Sequence, residues 1–328
     1  MLIEGIHQIQ VPLPNNPLKI INCYLILPST NQPDGRALLI DTGFDHPEAY
    51  LAITSYIEAL GISFDQIDLL ATHLHSDHSG QLTRLKSDKS ICYAGDVDGP
   101  LINAMTREDY WLEFSKLYTL MGLDFDQISY IDHPGYKYCP KTPVDFVYLK
   151  EGQLLNYGDF SFNIIDVPGH TPGQIVLWDE SKSLLISADH ILDEITPNIS
   201  FWGFKHGDSL GTYIKSLHKI RALSPRVALP SHRCLIYSVN ERIDALIAHH
   251  EERLSEVLEI LKKSKTALNP RAVAAQMHWS VRQNNFDDFA SPQKWFATAE
   301  AMAHLVHLET RGLVKMSMNA DLVYFTSL

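Results

Sequence analysis

The run His73-Leu74-His75-Ser76-Asp77-His78 decides how the rest of the chain is read. Four side chains of metal-ligating type fall within six residues, after the apolar run Ile67–Ala71 and just before Gly80. General acid–base work needs one or two tuned groups, not a crowd. Three imidazoles packed together repel one another once protonated, and a bound divalent cation removes that conflict by keeping them neutral. Zinc accepts both imidazole nitrogen and carboxylate oxygen. A polar surface loop rich in histidine is the alternative, and the spacing speaks against it.

Six residues cannot enclose two metal sites, so further ligands are expected at other strand ends. In Ile164-Ile165-Asp166-Val167-Pro168-Gly169-His170-Thr171-Pro172-Gly173, His170 sits in a Pro/Gly-bounded turn after an apolar run. Asp189 directly follows Leu184–Ala188, and His232 follows Val227–Leu229 by way of Pro230 and Ser231. One strand-end histidine is more often a hydrogen-bonded turn residue. Three such residues beside the cluster reverse that weighting.

The series H-x-H-x-D-H, G-H-T-x-G, an Asp after a strand and a final His resembles the metallo-β-lactamase-fold hydrolase superfamily over residues 1–235. The lactamase-beta-like and glyoxalase II-like branch is the nearest in pattern. The resemblance implies an α+β chain folded as an αββα sandwich, with the site at one edge of two sheets. It implies that His73, His75 and His170 hold a first metal and that Asp77, His78 and His232 hold a second, with Asp189 bridging both. The metals it implies are two divalent ions, zinc first, with iron or manganese as alternatives. Flavodiiron oxygen reductases usually carry Glu where this chain has His75 and need a flavin domain; the secreted β-lactamases differ at the positions of Asp189 and His232. Neither fits.

Two cations roughly 3.5–4 Å apart share a hydroxide and lower its pKa towards neutrality, ready to attack a carbonyl or phosphoryl centre. Asp77 is then both a ligand and the catalytic residue that orients the nucleophile or passes a proton to the leaving group. Asp41, which ends Ala37–Ile40 in Asp41-Thr42-Gly43, is expected to accept a hydrogen bond from a ligand imidazole, an Asx turn being its other reading. His133 and His190 are read as structural or pocket-lining.

Length and composition fit one large domain and a small one: 328 residues, 45% hydrophobic and 20% charged. No stretch approaches the ~18 uninterrupted apolar residues of a membrane span. The start Met1-Leu2-Ile3-Glu4 lacks a basic leader pattern, and Cys23, Cys92, Cys139 and Cys234 form no C-x-x-C pair. A cytoplasmic protein with free thiols is the expectation. The net charge of −12 is uneven: residues 1–251 carry −13 and residues 252–328 carry +1. Such a balance disfavours a nucleic-acid partner and favours a small-molecule substrate.

Short apolar runs alternate with helical spacing through residue 238, as in Pro47–Leu60 and Gly211–Leu223. The segment 95–138 interrupts them with an aromatic, helical insertion, expected as a lid or an extra packing layer. Its Tyr110, Trp111 and Phe114, with Phe201 and Trp202, are expected to wall an apolar substrate pocket. Beyond residue 239 come helical patterns at Asn240–Lys262, Pro270–Met277 and Pro292–Thr310. The runs Val314–Met318 and Leu322–Thr326 then read as a hairpin. That order is winged-helix-like and predicts a catalytic domain over 1–238 and a small domain over 239–328. A basic recognition helix is missing, because Pro292–Thr310 has Lys294 against Glu300 and Glu309. The tail is therefore expected to pack or dimerise. The function expected first is hydrolysis of a small ester, thioester or lactone. A metal-dependent endoribonuclease comes second, and a non-enzymatic DNA-binding sensor last.

Overall fold

The computed structural model describes residues 3–29, 31, 35–126, 128–280 and 285–328, so Met1 and Leu2 of the amino-terminal stretch lie outside it. A first sheet holds β1 (Ile6–Pro12), β2 (Ile20–Ile26), β3 (Ala37–Ile40), β4 (Ile67–Ala71), β5 (Cys92–Gly95) and β6 (Phe146–Leu149), in that order. A second runs β11 (Val227–Pro230), β10 (Leu184–Ala188), β9 (Ile175–Asp179), β8 (Phe160–Asp166) and β7 (Leu154–Tyr157). Strands β3 to β6 pair in parallel, as do β10 and β11; the other pairs are antiparallel.

Side chains alternate between faces along a strand, and nearly every face here is covered. Leu38, Ile40 and Leu70 of the first sheet meet Phe162, Ile164, Leu177 and Leu229 of the second in one core. Their sequence neighbours Ala37, Leu39 and Leu69 face outward onto Ala49, Ile53 and Ile57 of α1 (Pro47–Ala59). On the far side Val176, Leu185 and Ala228 face Tyr213, Leu217 and Ile220. The result is helix layer, sheet, sheet, helix layer. Burial on both faces is why these strands look like unbroken apolar runs.

Two short helices follow β4, α2 (Ser76–Ser79) and α3 (Leu82–Leu85). The insertion folds as α4 (Asp98–Ala104), α5 (Glu108–Met121) and α6 (Pro134–Tyr138). The outer layer of the second sheet is α7 (Ser209–Leu223) with α8 (Val239–Lys263) behind it. The tail adds α9 (Pro270–Ala274), α10 (Ser291–Thr310) and the hairpin β12 (Val314–Asn319)–β13 (Leu322–Ser327). One core joins α7, α8, α10 and Phe325 of the hairpin. No residue of α10 from Ser291 to Leu308 is exposed. The four cysteines are free, and among the described residues no helix is long and apolar enough to cross a membrane.

Candidate metal centre

Every residue singled out in the sequence as a metal ligand lies at the same edge of the two sheets. His73 follows β4, Asp189 and His232 follow β10 and β11, and His170 sits in the β8–β9 turn. The backbone is strained where it feeds the cluster: Asp41 and Ala188, neither of them glycine, adopt φ of 61° and 46°. Left-handed geometry costs energy in such residues and recurs at functional sites.

Three ring nitrogens converge. His75 Nδ1 lies 3.1 Å from His73 Nε2 and 3.0 Å from His170 Nε2. Nitrogens on one tetrahedral zinc, at about 2.0–2.1 Å from it, stand roughly 3.3 Å apart. Beside this trio, His232 Nε2 is 3.4 Å from Asp77 Oδ2, and His78 Nε2 is 3.8 Å from the same oxygen. Asp189 Oδ2 is central, at 3.6 Å from both His78 Nε2 and His232 Nε2 and 3.7 Å from His170 Nε2. The donor atoms group as His73–His75–His170, as Asp77–His78–His232, and also as His73–His78–Asp189, each within 4.8 Å.

On His78, His170 and His232 the opposite ring nitrogen is occupied. His78 Nδ1 donates to Asp41 Oδ2 at 2.7 Å, His170 Nδ1 to the Asn198 carbonyl at 2.8 Å, and His232 Nδ1 to the Ile20 carbonyl at 3.0 Å. Such partners fix the tautomer and aim Nε2 into the cluster. Asp41 in turn accepts from the Thr72 amide and hydroxyl and from Ser231 Oγ. His78 Nε2, His232 Nε2 and Asp189 Oδ1 are buried and have no hydrogen-bond partner. Unsatisfied buried donors and acceptors are costly, and here His78 Nε2 and His232 Nε2 both lie 3.6 Å from Asp189 Oδ2, where the other donors converge. The nitrogen and oxygen set fits divalent metal.

Electrostatics agree. Burial, and then the neighbouring imidazoles, push His73 well below the usual histidine range. Burial also pulls on His78, but Asp41, Asp189 and Asp77 outweigh it and hold that ring well above the range. Burial would raise the Asp77 carboxyl, yet His78 and His232 draw it down to about 2. Charges of both signs are thus forced together out of water.

The cluster floors a cavity of about 360 Å³. Tyr110, Trp111, Phe114, Phe201 and Trp202, the expected pocket wall, all border it. The Trp202 indole also donates to the His170 carbonyl at 3.0 Å. His133 borders the cavity, whereas His190 is buried against Tyr213.

A profile of the metallo-beta-lactamase superfamily matches residues 17–232, the segment that supplies every one of these donors. The chain belongs to that superfamily. Enzymes of this superfamily are generally hydrolytic and bind divalent metals, and the chain is a metal-dependent hydrolase. It is 25% identical to a probable metallo-hydrolase, YqjP, of Bacillus subtilis, across 100% of this chain and 99% of that one. An acyl-coenzyme A thioesterase of Bos taurus, MBLAC2, is 26% identical over 38% of this chain and 41% of its own. Among solved structures, a metallo-beta-lactamase family protein of Thermus thermophilus superposes with a TM-score of 0.80 at 24% identity, each chain covered completely. A beta-lactamase domain protein of Burkholderia ambifaria gives 0.81 at 23%, covering 100% of this chain and 93% of its own. Full coverage by these structures takes in the tail as well as the sandwich.

Sequence reasoning missed several residues at this superfamily centre. Asp98, fully inside, accepts from the Leu74 amide at 3.0 Å and the Thr171 hydroxyl at 2.6 Å, tying together the two loops that carry His73, His75 and His170. Its place three residues beyond β5, after Asp96-Val97, resembles the other strand-end acids and was the one available signal. Asn198, Trp295 and Phe296 gave none, because they reach the site from other elements.

Proposed function

We propose that the protein hydrolyses a small ester, thioester or lactone with two divalent metal ions, zinc first, held by the seven donors. The observation that carries this reading is a buried cluster of converging nitrogen and oxygen donors, of which His75, Asp77, His170 and Asp189 border an aromatic cavity. His73 Nε2, His75 Nδ1 and His170 Nε2 would hold one ion, Asp77, His78 and His232 the other, and Asp189 both. Bound there, the ions would polarise a carbonyl and bring the pKa of water towards neutrality. The protein supplies the rest. Asp41, Asn198 and Ile20 fix the imidazole tautomers, and the aromatic wall excludes water around an acyl group. Asp77 borders the cavity with its side chain 14% exposed, so its carboxylate is placed to hold an ion and to orient the attacking water against the carbonyl. The partial likeness to an acyl-coenzyme A thioesterase supports the acyl reading.

We read the tail as a winged-helix-like packing module in the cytoplasm. A helix enclosed from Ser291 to Leu308 offers no face to a DNA groove. The decisive experiment is turnover of a panel of acyl thioesters, aryl esters and lactones by zinc-loaded protein. At least one is expected to turn over, with loss on chelation and in His75→Ala. Activity no greater than that of the variant across the panel would defeat the proposal.

A further inference from the structure

Among the described residues that border the cavity, none is a lysine or an arginine. Its only carboxylates are Asp77 and Asp189, both in the cluster. His133, away from the cluster, is driven by burial to a pKa of about 3 and stays neutral. The far wall comes from the tail, where Pro292, Gln293, Trp295 and Phe296 open α10. Lys294 in the same turn is committed elsewhere, its Nζ 2.9 Å from Asp126 Oδ1. A charge taken against the wall away from the cluster would find no charged partner there, which is unfavourable.

We propose that this cavity takes an uncharged apolar acyl chain, carbonyl at the cluster and far end on the Trp295–Phe296 wall, so that α10 sets substrate specificity. Placing the carbonyl at the cluster rests on the hydrolase reading; the neutrality of the chain does not. A substrate can carry charge only in its leaving group, outside this wall.

The test compares 2-decanone, which has no leaving group, with 9-oxodecane-1-sulfonate, whose added charge is a poor ligand for zinc. Both are titrated into the zinc-loaded full-length chain and read by intrinsic fluorescence, because Trp111, Trp202 and Trp295 border the cavity. The ketone is expected to give a saturable change and the sulfonate to bind at least about tenfold more weakly. Gln293→Lys, at a half-buried polar position in the first turn of α10, is expected to narrow that gap at least about tenfold by supplying a counter-charge. Equal affinities in the unaltered protein, no response to the ketone, or an unchanged gap in Gln293→Lys would each overturn the proposal. Ester turnover is measured on the same preparation. Preference for the ketone without turnover defeats the acyl-hydrolysis reading and leaves this one; turnover with equal affinities does the reverse.

Discussion

Asp98 makes its two contacts 24 and 73 residues away in the chain, to Leu74 and Thr171. Burial raises its carboxyl to about 6, although the Thr171 and Leu74 hydrogen bonds pull it down. Removing the side chain leaves a buried amide and hydroxyl unpartnered and frees two ligand loops at once. Asp98→Ala is expected to weaken zinc binding by roughly 10–100-fold, read by competition with a chromophoric chelator. Asp98→Asn keeps an acceptor oxygen and should lose less; equal losses in both would remove the hydrogen bonds as the cause. The contrast with the donors is physical. His73, His75, Asp77 and His78 are legible because one short run holds them, and His170, Asp189 and His232 because each ends an apolar run. Asp98 and Asn198 work through partners that only the tertiary fold brings near, so the sequence marks Asp98 only by its place after β5 and says nothing of what either residue holds.

Elements divide in the same way. The central strands were legible because burial on both faces writes an uninterrupted apolar run. The missed strands β1 and β7 are the outer strands of their sheets, with polar positions interleaved, as in burial at alternate residues of Leu154–Tyr157. Helix α10 was legible as a helix, but not as a buttress of the site. Its Glu300 accepts from Asn198 Nδ2 at 2.8 Å, and the Asn198 carbonyl holds His170; the Phe201 amide donates to Ala299. Burial raises Glu300 from 4.5 to about 7, against the pull of Arg253 and the Asn198 hydrogen bond. Arg253 and Glu256 are the charged groups that act on it. The folded state therefore binds this proton more tightly than the unfolded chain does. The stability it contributes is complete below about 4.5 and is lost as pH rises through about 7. Glu300→Gln cannot titrate, so its urea midpoint is expected to fall less than that of the unaltered protein between pH 5 and 8. Parallel curves for the two proteins would refute the assignment.

At the scale of the whole molecule, composition separated an acidic body from a nearly neutral tail but could not say whether they share a core. The structure shows one hydrophobic cluster running from Val176 and Leu185 of the second sheet, through Tyr213 and Leu217 of α7, to Leu246 of α8, Met302 of α10 and Phe325 of β13. The boundary expected near residue 238 falls at the start of α8, where the chain crosses this core without leaving it. A domain that could be cut there would have to cover the outer face of α7 by itself. Without α8 and α10, apolar side chains now at or near zero exposure, Tyr213, Leu217 and Ile220 among them, would face water. The loop that orients His170 would also lose Glu300 and Ala299. A chain ending at Tyr237 is therefore expected to keep much of its far-UV circular dichroism, lose its near-UV signal and bind a hydrophobic dye, the signs of secondary structure without fixed packing. Zinc binding should weaken with it, since the donors would remain but their supports would not. A truncated chain with a near-UV spectrum of native strength and a cooperative urea transition would show that residues 1–237 fold alone, and that the core crossing into the tail is not required.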